Sequence, residues 1–256
     1  MSYPIPAGTL AGKTALVTGS SRGVGADTAK FLAAAGANVV INFRNKAPRA
    51  EKLAAQLNEE FGTQTLVVGA DLTDADSVAS MFGAVRDVFG GLDILVLNAS
   101  GGMEANMGED YAMRLNRDAQ VGALDAALPL MRAGARVVFV TSHQAHFIRT
   151  TPTMEAYAPV ALSKRAGEDA LRKRIPELAE KGIDFVVVSA DMIEGTITAT
   201  LLNRLEPGAI DARREEAGKL LNVAEFAAEI AEAAIDEIPE NNERICGDTS
   251  SFNPIV

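Results

Sequence analysis

Ala15-Leu-Val-Thr-Gly-Ser-Ser-Arg-Gly-Val-Gly-Ala26 is an apolar run that breaks into three glycines, at 19, 23 and 25, and then resumes with helical spacing. Its physical content is a buried strand, a tight turn and a helix N-terminus. Glycine is needed where the backbone turns sharply, approaches a ligand with no Cβ in the way, or lets a helix pack closely on a strand. The free N–H groups and positive dipole end of that helix make a seat for phosphate. An ordinary strand-to-helix turn uses the same ingredients, so the rest of the chain has to arbitrate.

Outward from this stretch, strand-like apolar runs recur at 14–17, 38–42, 65–68, 93–97, 136–141 and 184–188, with a short final strand near 244–246. Helical stretches lie between them at 25–35, 49–61, 75–89, 111–131 and 159–180, and a last one at 223–238 is stopped by Pro239. Such alternation predicts a parallel sheet covered on both faces, a doubly wound α/β fold of Rossmann-like type. No composition shift or linker divides the 256 residues, so one domain over 1–256 is expected, long enough to bury a sizeable core. The 34 acidic against 24 basic residues, net charge −10, disfavour nucleic acid or an anionic membrane as partner. A single cysteine, Cys246, excludes an intramolecular disulfide and suits a reducing compartment, as a buried inert thiol. The opening Met1-Ser-Tyr-Pro-Ile-Pro lacks the charged and apolar parts of a signal segment, and no apolar run reaches about 18 residues. The expectation is a soluble cytoplasmic protein acting on a small molecule, with no metal site.

The spacing Thr18-Gly19-x-x-x-Gly23-x-Gly25 resembles the cofactor loop of the short-chain dehydrogenases/reductases, and further matches run from Lys13 to about Gly247. The resemblance implies a nicotinamide cofactor bound by Thr18, Gly19, Ser21, Arg22, Gly23, Val24 and Gly25. In a doubly wound sheet ligands bind outside the carboxyl ends of the strands, so the residues after each strand carry the chemistry. After the second strand, Asn42-Phe-Arg44-Asn-Lys46 has no acidic residue between 38 and 50 to take a ribose 2′-hydroxyl, whereas Arg44 and Arg22 suit a 2′-phosphate. NADP(H) is therefore expected. By resemblance, Ala70-Asp71-Leu72-Thr73 contacts adenine, with the Asp71 carboxylate accepting from the base and Leu72 beside it. Leu97-Asn98-Ala99-Ser100 is similar to the family's Asn-Asn-Ala-Gly segment, with Asn98 and Ala99 supporting the nicotinamide-side ribose and Ser100 standing where glycine is usual. Asn116 stands where the family has an asparagine that bends its helix and holds a water linked to the catalytic lysine. Ser142 matches the family's substrate-orienting serine, a hydroxyl able to donate to a carbonyl oxygen without changing charge. His143 and His146 follow it, yet no Gly-x-Ser-x-Gly elbow surrounds Ser142. A hydrolase is disfavoured on that ground, and the histidines line the site at most.

The family's usual proton-donating pair is Tyr-x-x-x-Lys, but here the position four before Lys164 is Val160. Tyr157 stands seven before Lys164, which is the Tyr-(x)6-Lys spacing of the divergent branch that includes enoyl-acyl-carrier-protein reductases. At about 100° per residue, four steps give about 40° and seven about −20°, so either spacing puts the pair on one helix face. Seven helical residues rise roughly 10 Å, however, which is long for direct convergence. Pro159 relieves this because it suits the first helical turn and leaves Tyr157 in a lead-in free to fold back. The chemistry asks for such a pair: negative charge develops on an oxygen as hydride arrives, and a nearby acid donates to it. A lysine ammonium close to the phenol is expected to lower its pKa from near 10.

Past the sixth strand, Thr196 is expected to reach the nicotinamide carboxamide, and residues from about 191 to 222 read as a substrate-covering lid. With the resemblance, the first expectation is NADPH-dependent reduction of a carbonyl, with Tyr157, Lys164, Ser142 and Asn116 as the catalytic set. Enoyl-thioester reduction is the alternative that the Tyr-to-Lys spacing favours, and a non-catalytic NADPH-binding regulator is a third. Ser142 favours the carbonyl, because enoyl reductases of that branch often use a second tyrosine and only Tyr111 lies between Asn98 and Tyr157. A homo-oligomer, tetramer or dimer, is expected through the stretches 111–131 and 159–180, where Val121, Leu124, Leu128 and Leu130 exceed what one sheet covers.

Overall fold

The computed structural model describes residues 3–104, 107–108 and 110–252. In chain order it runs β1 (Thr14–Val17), α1 (Gly23–Ala34), β2 (Asn38–Phe43), α2 (Ala47–Phe61), β3 (Thr65–Gly69), α3 (Ala75–Phe89) and β4 (Leu92–Leu97). Then α4 (Tyr111–Met113) passes through a π turn, Arg114–Asp118, into α5 (Ala119–Ala127), followed by β5 (Met131–Ser142), α6 (His143–His146), α7 (Ala158–Arg172), α8 (Ile175–Glu180) and β6 (Asp184–Ala190). The chain closes with α9 (Ile197–Leu205), α10 (Ala209–Ala217), α11 (Val223–Ala233) and β7 (Glu243–Cys246).

The seven strands pair in the order β3-β2-β1-β4-β5-β6-β7, every neighbouring pair parallel. This is the doubly wound sheet that the alternating pattern predicts. Successive side chains on a strand point to opposite faces. Ala15, Val17, Val39 and Ile41 accordingly join one core with α1, α2 and α11, while Leu16, Val40, Leu95 and Phe139 join the other with α3, α5 and α8. Strand order reverses between β1 and β4, which opens the crevice where ligands bind in such sheets.

Three helical stretches toward the C-terminal half depart from expectation by more than two residues. The stretch 159–180 is two helices, because Pro176 in the first turn of α8 has no N–H to continue α7. The stretch 111–131 contains the π turn and ends in a 3-10 turn at Leu128–Leu130, with Pro129 inside it, before β5 begins at Met131. The last helix stops at Ala233, five residues short of the expected end. The apolar excess on α5 is also smaller than the sequence suggests: Leu124 is fully buried within its own chain, and Val121, Leu128 and Leu130 pack partly against the same core. Cys246 is buried and its thiol is pushed up to about 12, first by burial and then by Glu229, which leaves it inert. Among the described residues no helix is long and apolar enough to cross a membrane.

Candidate active site

The glycine turn is fastened to the β4 end by Thr18. Its buried hydroxyl accepts the N–H groups of Asn98 and Ala99, each at 2.9 Å, and donates to the Val96 carbonyl at 3.3 Å. Asn98 returns a bond from Nδ2 to the Thr18 carbonyl at 2.9 Å. Gly19 follows at φ +65°, and its N–H donates to Asn42 Oδ1 at 3.0 Å. A Cβ on Gly25 would lie 2.6 Å from Asn98 Nδ2 and 2.8 Å from the Gly19 carbonyl oxygen, so only glycine lets α1 start this close. The helix begins two residues earlier than expected, at Gly23, and its N-cap residue Arg22 supplies no side-chain cap. Uncapped N–H groups on a turn flanked by glycines at the crevice fit a pyrophosphate. Ser21 is half-buried and Arg22 exposed beside this turn, and Val24 lines the cleft below. Asn42 and Ser20 are structural partners that sequence reasoning passed over: Ser20 Oγ donates to the Val17 carbonyl at 2.7 Å and accepts the Asn42 N–H at 3.1 Å. A polar Asn closing an apolar strand was the available signal.

At the other end of the crevice, Asp71 Oδ1 accepts the Thr73 N–H at 2.9 Å and its hydroxyl at 2.7 Å. Burial pushes the Asp71 carboxyl up, but the two Thr73 bonds and the Arg44 and Arg114 charges hold it below its ordinary value. One Asp71 oxygen is thus spent on its own loop, and Leu72 is buried behind it. Arg44 is exposed and hydrogen-bonds the Tyr111 hydroxyl.

The reactive cleft, open to solvent, brings Ser142, Tyr157, Lys164, Asn98 and Thr196 to one wall set. Tyr157 closes a one-turn 3-10 helix, Glu155–Tyr157, ahead of α7, whose first turn contains Pro159. Tyr157 reaches the cleft, its Oη 3.3 Å from Ser142 Oγ, but the lead-in is itself a helical turn with Tyr157 in the right-handed region, not the non-helical stretch expected. Ser142 ends β5 and caps α6 by accepting the Ala145 N–H at 3.3 Å. Burial raises the Tyr157 phenol above 10, and the Ser142 bond opposes this. Lys164 is not among the groups acting on that phenol, so the expected lowering by the ammonium does not operate here. Lys164 is itself brought down to about 8 by burial. Val160 takes no polar role; it packs with Tyr157, Ala161 and Leu202.

Asn116 sits in the π turn, which is the bend that the resemblance implies. Its amide is engaged differently: Oδ1 accepts the Gly101 N–H at 3.2 Å, while Nδ2 donates to the Gly101 carbonyl at 2.8 Å and to Ser163 Oγ at 2.9 Å. It ties the loop after β4 to α7, one residue from Lys164. Gly167 lets α7 cross the turn, since a Cβ there would strike the Asn116 carbonyl. Thr196 donates to the Ile193 carbonyl at 2.9 Å and caps α9, so its hydroxyl is held at the cleft wall.

The histidines lie behind the cleft rather than lining it. His143 is fully buried, Nδ1 at 2.8 Å from Ser189 Oγ, with Phe147 and Phe252 against the ring, and burial drives its pKa down to about 4. His146 is bonded to Glu168 at 3.0 Å. Glu168 and Glu243 approach the same imidazole, but Arg172 binds both carboxylates at 2.9 and 2.6 Å, which makes the group an ion-pair network. The stretch 191–222 carries α9 and α10. It is anchored by a buried pair that sequence reasoning missed, Arg213 and Asp191 at 2.6 Å, with Arg213 also 4.5 Å from the Phe252 ring centre.

Comparison with known proteins gives the family and the fold. Residues 13–206 match the family model described as short chain dehydrogenase. The chain is 31% identical over 195 residues to the short chain dehydrogenase/reductase AacuN of Aspergillus aculeatus, covering 74% of this chain and 71% of that protein. It is 34% identical over 190 residues to 1-cyclohexenylcarbonyl-CoA reductase of Streptomyces collinus, covering 71% and 65% respectively. A solved structure of a short chain dehydrogenase from Burkholderia cenocepacia in complex with NADP superposes with a TM-score of 0.80 at 28% identity, covering 93% of this chain and 98% of that one.

Proposed function

The chain belongs to the short-chain dehydrogenase family of oxidoreductases, and on that premise we propose that it is an NADPH-dependent reductase of a carbonyl group with Tyr157 as proton donor. The observation that carries the proposal is the pair of hydroxyls, Tyr157 Oη and Ser142 Oγ, 3.3 Å apart in the cleft. The glycine turn and the uncapped start of α1 hold the pyrophosphate, and Thr18, Asn98 and Ala99 set the crevice at the β4 end. Arg44, with no acidic residue on the β2–α2 connection, favours a 2′-phosphate, and the NADP-bound relative supports this choice. When bound, the reduced nicotinamide supplies the hydride.

The two hydroxyls are bonded to each other in the cleft, and turning both from that bond to a substrate oxygen would give it two donors as negative charge builds on it. Tyr157 then gives up its proton to that oxygen, while Ser142 stabilises the charge without changing its own. Burial holds the phenol protonated until a stronger base arrives. Lys164, on the same cleft wall and brought down to about 8 by burial, would hold the ribose hydroxyls of the bound cofactor. Asn116 fixes α7 and thereby Lys164. We assign the 191–222 segment the role of a lid that excludes water.

The test is an NADPH-consumption screen over ketones, quinones and enoyl thioesters, with Tyr157→Phe in parallel. Turnover of the variant should fall by about 10²–10⁴-fold, the range for general-acid catalysis, with NADPH affinity unchanged. Near-normal turnover on any substrate would remove Tyr157 from its role. Reduction of an enoyl thioester is the second reading, favoured by the name of the Streptomyces relative; exclusive turnover of enoyl thioesters in the same screen would establish it.

A further inference from the structure

Away from the reactive cleft, the end of β2 holds a cationic cluster of which only Arg44 was foreseen from sequence. The Tyr111 side chain, from α4, is 2% exposed, and its hydroxyl accepts a hydrogen bond from Arg44 Nη1. Arg44 Cζ lies 5.7 Å from the Tyr111 ring centre and Arg114 Cζ lies 6.0 Å from it. Two guanidiniums therefore gather round one ring at the mouth of the crevice. Both also act on the Asp71 carboxylate, which is already bonded to Thr73, and Glu104 is a second carboxylate near the Tyr111 hydroxyl. Among the described residues Arg44 has no carboxylate within salt-bridge distance. Arg114 has Asp110 at 3.0 Å, an exposed pair one turn away on its own helix, of the kind that contributes little. Like charges held together repel, and an anion placed against both reverses the sign of that interaction. Planar guanidinium forks match phosphate oxygens in particular.

We propose that Tyr111 and Arg114 are specificity-determining residues of the cofactor site: Tyr111 positions Arg44, and Arg114 adds the second cation of a two-guanidinium seat for the ribose 2′-phosphate. The inference rests on the NADPH reading above and deepens it. Tyr111 is a positioning residue, acting through Arg44; Arg114 touches the phosphate itself. The arrangement depends on α4 reaching across the carboxyl ends of the strands to β2, which ties phosphate recognition to the helix that continues into the Asn116 turn.

Titration calorimetry tests it with four ligands: NADPH, NADH, adenosine 2′,5′-bisphosphate and adenosine 5′-monophosphate. Arg114→Gln and Tyr111→Phe should each weaken the two 2′-phosphorylated ligands roughly tenfold, as loss of a charge-assisted contact does, and leave the other two within about twofold. Arg114→Lys should recover much of the loss. If Arg44→Gln alone abolishes discrimination and the other two variants shift all four ligands alike or none of them, Arg44 reads the phosphate by itself and the inference falls while the NADPH reading stands. Equal affinity of the unmodified protein for NADPH and NADH overturns both.

Discussion

Adding one methyl group at Gly25 should damage the protein more than adding one at Gly23, although Gly23 alone has the unfavourable backbone. At Gly25 the new Cβ would sit 2.6 Å from Asn98 Nδ2, 2.8 Å from the Gly19 carbonyl oxygen and 3.0 Å from Ser20 Cα. Two of those three neighbours are backbone, so relief has to come from moving α1 outward or expelling the Asn98 amide. Moving α1 is overpacking, about 1–3 kcal/mol. Expelling Asn98 breaks its 2.9 Å bond to the Thr18 carbonyl and leaves a buried acceptor, about 1–3 kcal/mol more. Gly23 has φ +55° but nothing within 4 Å of its Cβ, so alanine there meets strain only, about 1–2 kcal/mol, partly offset by a stiffer unfolded chain. For a chain of this size each kcal/mol moves the midpoint by about 2–4 °C. Thermal unfolding should therefore show Gly25→Ala lower by roughly 4–24 °C, from about 2–6 kcal/mol, and Gly23→Ala by only a few degrees. Cofactor titration should show Gly25→Ala weakening NADPH and NADH by the same factor, because the distortion lies at the pyrophosphate and not at the ribose. A Gly25→Ala protein that melts within 2 °C of the parent, or above Gly23→Ala, would refute the close approach of α1 to Asn98.

Two further outcomes follow from buried or exposed groups away from the crevice. His143 has its pKa lowered to about 4 from 6.5, so the unfolded chain takes up the proton first as pH falls; stability should be full above about 6.5 and drop by about 3 kcal/mol toward pH 4. Urea unfolding across that window should show a slope absent from His143→Asn, and parallel profiles for the two proteins would contradict it. Light scattering at micromolar concentration should give a particle larger than one chain, through a face that includes Leu162 on α7, 56% exposed in the single chain. A monomeric mass would dispose of that proposal.

Local signals in the sequence determined the sheet, its winding and the turn at 19–25. Strand and helix periods and glycine placement act over a few residues, and local chemistry suffices to specify them. Tyr157 is legible only in part: Pro159 suits the first turn of α7 as its spacing predicts, but the residues before it form a 3-10 turn rather than a non-helical lead-in. Other features depended on what the fold brings together from distant parts of the chain. Arg44 is legible as a cation after β2, but its contact with Tyr111, 67 positions later, exists only because α4 crosses the strand ends. Asn116 reads as a misplaced polar residue; that its amide locks Gly101 and Ser163 depends on α7 passing close enough, which Gly167 permits. The pKa of Tyr157 shows the limit most plainly. Residue spacing predicts a lysine near the phenol, but the phenol's proton affinity is governed by desolvation, and desolvation depends on every chain segment that closes over the ring.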